Sequence, residues 1–254
     1  MQLSVVIITK NEATNIARTL ASVTELADEI IVVDSGSTDR TLEIARTFGP
    51  RVKIFEEEWR GFAHQKNSAI EKASGAWILS LDADEEVSAE LGQEIQKAII
   101  ETAKEPYTIP RKNFFLGRWI RHGGFYPDRK LRLVPKKIAR FEDRAVHEDM
   151  KVDGPVETLE SPILHHAYPT LSSYIEHMNR YSSLGAEMAV ANDKRGFSFF
   201  NIVVRPWATF FYNYVLRLGF LEGREGLLLH LYHAVYVSWK YAKIWEISRN
   251  AKAR

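Results

Sequence analysis

The sequence predicts an α/β protein with a Rossmann-like, mostly parallel sheet flanked by helices and followed by a helical extension. Three observations predict it. Short apolar runs recur at residues 3–8, 29–33, 52–55 and 77–81, each followed by a stretch of helical character. Three of these runs end in polar clusters: Thr9-Lys10-Asn11-Glu12, Asp34-Ser35-Gly36-Ser37 and Asp82-Ala83-Asp84. After residue 196 the composition changes to eight Lys/Arg against three Asp/Glu, with fourteen aromatic residues. Four strand-then-helix repeats imply a largely parallel sheet covered on both faces, and such sheets bind ligands beyond the carboxyl ends of their strands.

Taken in order, the run at 3–8 is a first strand, and Asn11 is placed to cap a helix over 12–23 with Ile16 and Leu20 on one face. The second strand ends at Asp34. The turn SGSTD follows, with Ser37 or Thr38 capping a helix through Phe48. Residues 52–55 form a third strand and 61–73 a third helix. Trp77 to Leu81 is a fourth strand, buried because it is apolar apart from Ser80, and 88–102 is the next helix. Beyond Pro106 the rhythm changes. Strands are expected at 107–110, 130–134 and 163–168, with a long Gly- and aromatic-rich loop between the first two. Residues 171–192 form a long helix carrying Tyr174, Met178, Tyr181, Leu184 and Met188 at helical spacing. The expected division is a catalytic domain over 1–170 and a helical extension over 171–254.

The composition is that of an ordinary globular chain of 254 residues, 45% hydrophobic and 26% charged. The lack of cysteine excludes disulfides and thiolate metal sites. The chain opens directly on a strand, so no secretory leader is expected. The net charge of +1 conceals a basic, aromatic tail on a slightly acidic body, which points to an anionic surface as partner. Residues 197–220 are interrupted by Asn201, Arg205, Pro206, Asn213 and Arg217, so they are not expected to span a bilayer. On a helical wheel of residues 227–245, His230, His233, Lys240 and Lys243 share an arc opposite a broad apolar face. That pattern suits a helix lying in a membrane interface, and it also suits an amphipathic pair packed on protein. The basic residues are interleaved with long apolar stretches rather than set in a solvated stripe, which argues against nucleic acid.

The chemistry centres on Trp77 to Glu86, WILSLDADEE. Four carboxylates at the end of a buried strand are costly unless something positive sits beside them. Asp82 and Asp84 are two apart, so an extended segment points both to one side. Such hard oxygen ligands suit Mg²⁺ or Mn²⁺ bridging to phosphates. The alternative is that Asp84 to Glu86 only begin the next helix, where acidic residues are favoured. Lys66, at a helix start, is expected to be drawn toward a phosphorylated ligand, or else to be a solvated surface lysine. Arg129 and Arg132 in PDRKLRL suit bidentate phosphate contact. Asp34 suits a base or ribose contact, or a turn.

VIITKNE, VVDSGSTD, the HQKN run at 64–67 and LDADE occur here in an order and spacing that resemble family-2 glycosyltransferases of the GT-A fold. GGFYPDRKLRLV, the VHE at 146–148 and GFLEGREG resemble, more narrowly, bacterial enzymes that add a sugar, often glucose, to the inner core of lipopolysaccharide or lipooligosaccharide. The resemblance implies a UDP-sugar donor, with uracil near Thr9, Asn11, Glu12 and Asp34. It implies that Asp82 makes ribose or water-mediated metal contacts and that Asp84 binds Mn²⁺ or Mg²⁺ directly. A downstream histidine, His165 or His166, would be a third ligand. It places the base of an inverting transfer at Glu148, with Asp149 as competitor and His147 beside it. The expected acceptor is a lipid-linked saccharide at the cytoplasmic face of the membrane. Alternatives are another sugar or acceptor, or a membrane-bound protein that binds a nucleotide sugar without turning it over. A nucleotidyltransferase ranks below these because VIITKNE lacks the glycine-rich loop.

Overall fold

A computed structural model describes residues 2–101, 105–142, 150–192 and 197–252. It falls into two compact units, Met1–Lys112 with Asp128–His165 and Asn113–Pro127 with His166–Arg254.

In the first unit, β1 (Leu3–Thr9), β2 (Glu29–Asp34), β3 (Val52–Glu56) and β4 (Trp77–Asp82) alternate with α1 (Ile16–Val23), α2 (Thr41–Arg46) and α3 (Phe62–Lys72). β5 (Glu85–Val87), α4 (Ala89–Glu101), β6 (Tyr107–Phe115), β8 (Asp128–Pro135), β9 (Glu157–Thr158) and β10 (Ile163–Tyr168) follow, while β7 (Arg118–Trp119) belongs to the second unit. The sheet order is β3-β2-β1-β4-β8-β6-β10-β5. Pairing is parallel from β3 to β4 and turns antiparallel at β8. Strand alternation divides the core. Val5, Ile7, Ile30 and Val32 pack against Ile16, Leu20, Leu91 and Ile95, whereas Val6, Ile31 and Val33 pack against Ala69 and Ile70 of α3. Gly75 has no room for a side chain, because a Cβ would lie 2.6 Å from Ser4 Oγ and 2.7 Å from Ser4 N.

Two local expectations and one alternative are corrected. α1 starts at Ile16 rather than Glu12, because Asn11 takes a left-handed φ of 56° and spends its side chain on Thr38. α2 starts at Thr41, and the carboxylate that accepts its first free N–H is Asp39, at 3.0 Å, not Ser37 or Thr38. The residues after Asp84 form β5, paired with β10, rather than a helix start.

The second unit is helical, with α5 (Leu171–Ala191), α6 (Arg205–Phe211) and α7 (Gly223–Lys252). Thr170 and Ser173 form a reciprocal capping box at the start of α5. Turns of π-helix at Phe200–Val204 and Tyr212–Leu216 flank α6. Among the described residues no helix is long and apolar enough to cross a membrane. The polar arc of α7 faces protein, not water. Lys243 Nζ donates to Asn179 O, Ser182 Oγ and Ser183 Oγ at 2.8 Å each. His230 is buried, and its ring fills the space that Gly123 leaves by lacking a side chain. Burial pushes the His230 pKa down to about 4, so it packs as a neutral ring. A wheel groups residues by direction without saying which direction is solvent.

Candidate active site

The carboxyl ends of β1 and β2 are joined by their loops. Asn11 N donates to Ser37 Oγ and Thr38 N to Asn11 Oδ1, both at 2.8 Å. Glu12 N donates to Thr41 Oγ1 at 2.8 Å, and Ala13 N to Asp39 Oδ2 at 3.1 Å. Asp34 is wholly buried and shapes its own turn, accepting from Gly36 N at 2.9 Å, Ser37 N at 2.8 Å and Ser37 Oγ at 2.5 Å. Thr9 lies opposite Asp34 in register, and its hydroxyl is buried without a hydrogen-bond partner among the described residues.

At the end of β4 each of the four carboxylates has its own cation. Asp82 pairs with Lys66 at 2.9 Å and with Arg132 at 2.6 Å. Asp84 lies 3.4 Å from His165 Nε2. Glu85, fully buried, accepts from Arg132 at 2.7 Å and Arg111 at 3.1 Å, and its second oxygen accepts the Asp82 N–H at 2.9 Å. Glu86 pairs with Arg18 at 3.7 Å. Burial would raise the Asp82 pKa, but the Arg132 and Lys66 charges hold it well below the usual range. Burial likewise opposes ionisation of Asp84 and of His165, and their mutual attraction lowers the first and raises the second.

Arg132 reaches this cluster through a β-bulge. Tyr107 pairs with Leu133 and Thr108 with Leu131, which leaves Arg132 as the extra residue. Arg129 is exposed and is not among the ion-pair partners of Asp82. Of the two histidines, His165 faces Asp84 and His166 stacks on Phe114 in the second unit, at 5.0 Å between ring centres.

The HQKN run is divided among three tasks. Gln65 donates to Ser35 Oγ at 2.9 Å. Lys66 is buried between Asp82 and the Phe141 ring, 5.1 Å from its centre. Asn67 holds the Phe141 backbone at both its oxygen (2.9 Å) and its nitrogen (2.8 Å). Phe141 also bridges to Met150, so the flanks of the segment between them are tied to α3. Glu148, Asp149 and His147 lie outside the described residues. Arg111, Glu85 and Asp128, which accepts from Arg111 Nε at 2.9 Å, were not assigned roles from sequence. The signal for Arg111 was the positive charge demanded by four adjacent acids, Glu85 among them.

Asp84 and His165 set a hard oxygen beside an imidazole nitrogen, a donor set that fits Mn²⁺ or Mg²⁺. Glu12 lies within reach of the Asp84, Asp39 and Asp82 charges. Burial first, then the Asp84, Asp39 and Asp82 charges, push its pKa up to about 7, against the Asn15 hydrogen bond. Among the described residues no three His, Asp or Glu side chains converge to hold an ion unaided. The Glu12 shift has a consequence for stability. Below about 4.5 folded and unfolded chains both carry the proton; between there and about 7 only the unfolded chain releases it. Stability therefore falls as pH rises through this window, by at most about 3 kcal/mol. Glu12→Gln should melt together with the unsubstituted protein at low pH and roughly 5 °C above it at pH 8. Melting curves that stay parallel across the range would contradict the shift.

The chain matches the family model described as glycosyl transferase family 2 over residues 4–148. It belongs to that family. This family-2 glycosyltransferase is 30% identical over 263 residues to an uncharacterised glycosyltransferase of Rickettsia typhi, covering 99% of this chain and 89% of the relative. It is 30% identical to a lipopolysaccharide core biosynthesis glycosyltransferase of Rhizobium meliloti, covering 97% and 93% respectively. Its fold is that of GT-A glycosyltransferases. A mannosyltransferase of Pyrobaculum calidifontis, solved with GDP-Man and Mn²⁺, aligns at a TM-score of 0.57 with 17% identity, over 96% of this chain and 86% of that one. TarS of S. aureus, solved with UDP-GlcNAc, aligns at 0.53 with 17% identity, over 99% and 92%.

Proposed function

We propose that this enzyme transfers a hexose, glucose in our reading, from a UDP-sugar to a lipid-linked saccharide at the cytoplasmic face of the membrane, with the lipopolysaccharide inner core as acceptor. The observation that carries the reading is the rim at the end of β4, where Asp82 and Asp84 meet Lys66, Arg132 and His165. The name of the Rhizobium relative supports the acceptor class. TarS, solved with UDP-GlcNAc, and a mycobacterial glucosyl-3-phosphoglycerate synthase, solved with UDP-Glc and Mn²⁺, support the donor and the metal.

In this reading Thr9, Asn11, Glu12 and Asp34 form the base and ribose end. The loops around Asn11 and Asp34 are already cross-linked, so they need little ordering when the donor arrives. The orphaned Thr9 hydroxyl gains a partner there. Lys66 and Arg132 fix the Asp82 carboxylate and leave their own charge near the donor phosphates, with Arg129 as a further candidate. Asp84 and His165 would hold Mn²⁺ or Mg²⁺, which when bound would supply positive charge beside the donor diphosphate. Glu148 takes the proton of the acceptor hydroxyl as that oxygen attacks the anomeric carbon, with Asp149 as the second candidate. The ties of Phe141 to Asn67, Lys66 and Met150 support this reading.

The test is release of UDP from UDP-glucose in the presence of core-truncated lipopolysaccharide. Acceptor-dependent release with UDP-glucose, and little with UDP-galactose or GDP-mannose, is expected. Turnover of GDP-mannose alone would overturn the donor assignment.

A further inference from the structure

The segment from Phe197 to Leu221 contains no acidic residue and carries Arg205 and Arg217. It also exposes large apolar side chains that a water-facing surface does not keep. Phe199 is 73% exposed, Trp207 66%, Leu216 61% and Phe200 56%, and Phe220 and Leu221 are about half exposed. Single exposed apolar residues need no explanation, but a contiguous run of this size marks an interaction surface. The helices beneath it are satisfied elsewhere. α7 buries Leu229 with Phe115, Ile120 and Tyr174, and packs Ile244 with Ala186 and Ala189 of α5.

Cations border the run in space as well as in sequence. Glu222, almost fully buried, accepts from Arg118 Nε at 3.2 Å, Arg121 N at 2.9 Å, His122 N at 3.0 Å and His122 Nδ1 at 2.6 Å. This clamps the Arg118–His122 stretch beside Leu221, whose carbonyl also accepts from Arg118 at 3.4 Å. Arg217 lies over Gly124, and Arg121 stacks on Trp119 at 4.2 Å. Glu222 spends its charge internally on these bonds, and Glu225 faces Arg118 at 3.9 Å. The rim of the apolar run is thus Arg-rich, with its acids turned inward.

We propose that this surface, residues 197–221 with the Arg118, Arg121 and Arg217 rim, is where the protein docks on an anionic lipid bilayer. The proposal rests on the membrane reading above and moves the contact from the α7 face to this segment. Aromatic and aliphatic side chains enter the headgroup boundary, and guanidinium groups meet lipid phosphates. An acid-free apolar run edged by arginine matches a negative surface in a way that a second copy of the same basic surface would not.

The experiment is flotation of the full chain with vesicles of phosphatidylethanolamine and phosphatidylglycerol, and with vesicles of phosphatidylcholine alone, while UDP binding is followed on the same samples. The unsubstituted protein should float with the anionic vesicles, and less so as salt rises. Phe200→Glu/Trp207→Glu should weaken that association at least about ten-fold, with UDP binding unchanged. Trp207→Phe should retain it. A double variant that floats like the unsubstituted protein would overturn this surface while leaving the membrane reading standing. A protein that floats with neither vesicle but forms a dimer dissolved by the double variant would show that a second copy covers the run, and would overturn both. Flotation of the unsubstituted protein without UDP binding would overturn the donor reading and leave this surface standing.

Discussion

Glu85→Gln should destabilise the protein by about 3–5 kcal/mol, visible as a large drop in the denaturant midpoint at an unchanged slope. Glu85 is fully buried, and its carboxylate is the shared counter-charge of Arg111 and Arg132. The amide keeps the shape but removes the charge, leaving two guanidinium groups desolvated on one side. Arg132 would retain Asp82, and Arg111 would retain Asp128. The cost comes from the uncompensated interior charge, not from lost packing. The same change next door sets the scale. Glu86→Gln loses a partly exposed pair with Arg18 at 3.7 Å and should cost under about 1 kcal/mol. Equal effects at the two positions would mean that the Glu85 network is not what stabilises the end of β4.

Glu148→Gln should lower turnover by about 10²–10⁴-fold while leaving UDP-sugar affinity within error. An inverting displacement needs one acceptor for the hydroxyl proton and no covalent enzyme intermediate. Loss of the base therefore appears in the rate and not in donor binding. Asp149→Asn is the internal control, expected to retain most of the turnover. If Asp149→Asn fails and Glu148→Gln survives, the base moves by one residue. If both survive, the proposed mechanism is wrong at its central step.

Much of this was readable before the structure. The strand-end clusters at Thr9, Asp34 and Asp82 stood out because polar residues terminate buried apolar runs, and the topology does the rest: β1 lies between β2 and β4, so their carboxyl ends share one edge. The demand for positive charge near WILSLDADEE was also legible, but the identity of the cations was not. Arg111 and Arg132 come from β6 and β8, and Arg132 enters only because of a one-residue bulge that no local pattern announces. SGSTD carried two meanings, turn and ligand contact. The structure shows the turn, with Asp34 accepting three bonds from its own loop, and ligand contact remains the proposal. At α7 the sequence left two readings open, since helical periodicity places His230 and Lys243 on one arc without telling water from protein.

Calorimetric titration of UDP into the protein, with Mn²⁺ and then with EDTA, tests the donor site most directly. The account predicts binding with Mn²⁺ that EDTA abolishes, and the same loss in Asp84→Ala with Mn²⁺ present. Binding of equal strength in EDTA, or unchanged Mn²⁺-dependent affinity in Asp84→Ala, would contradict the assignment of the Asp84–His165 pair as the metal-holding end of a UDP-sugar site.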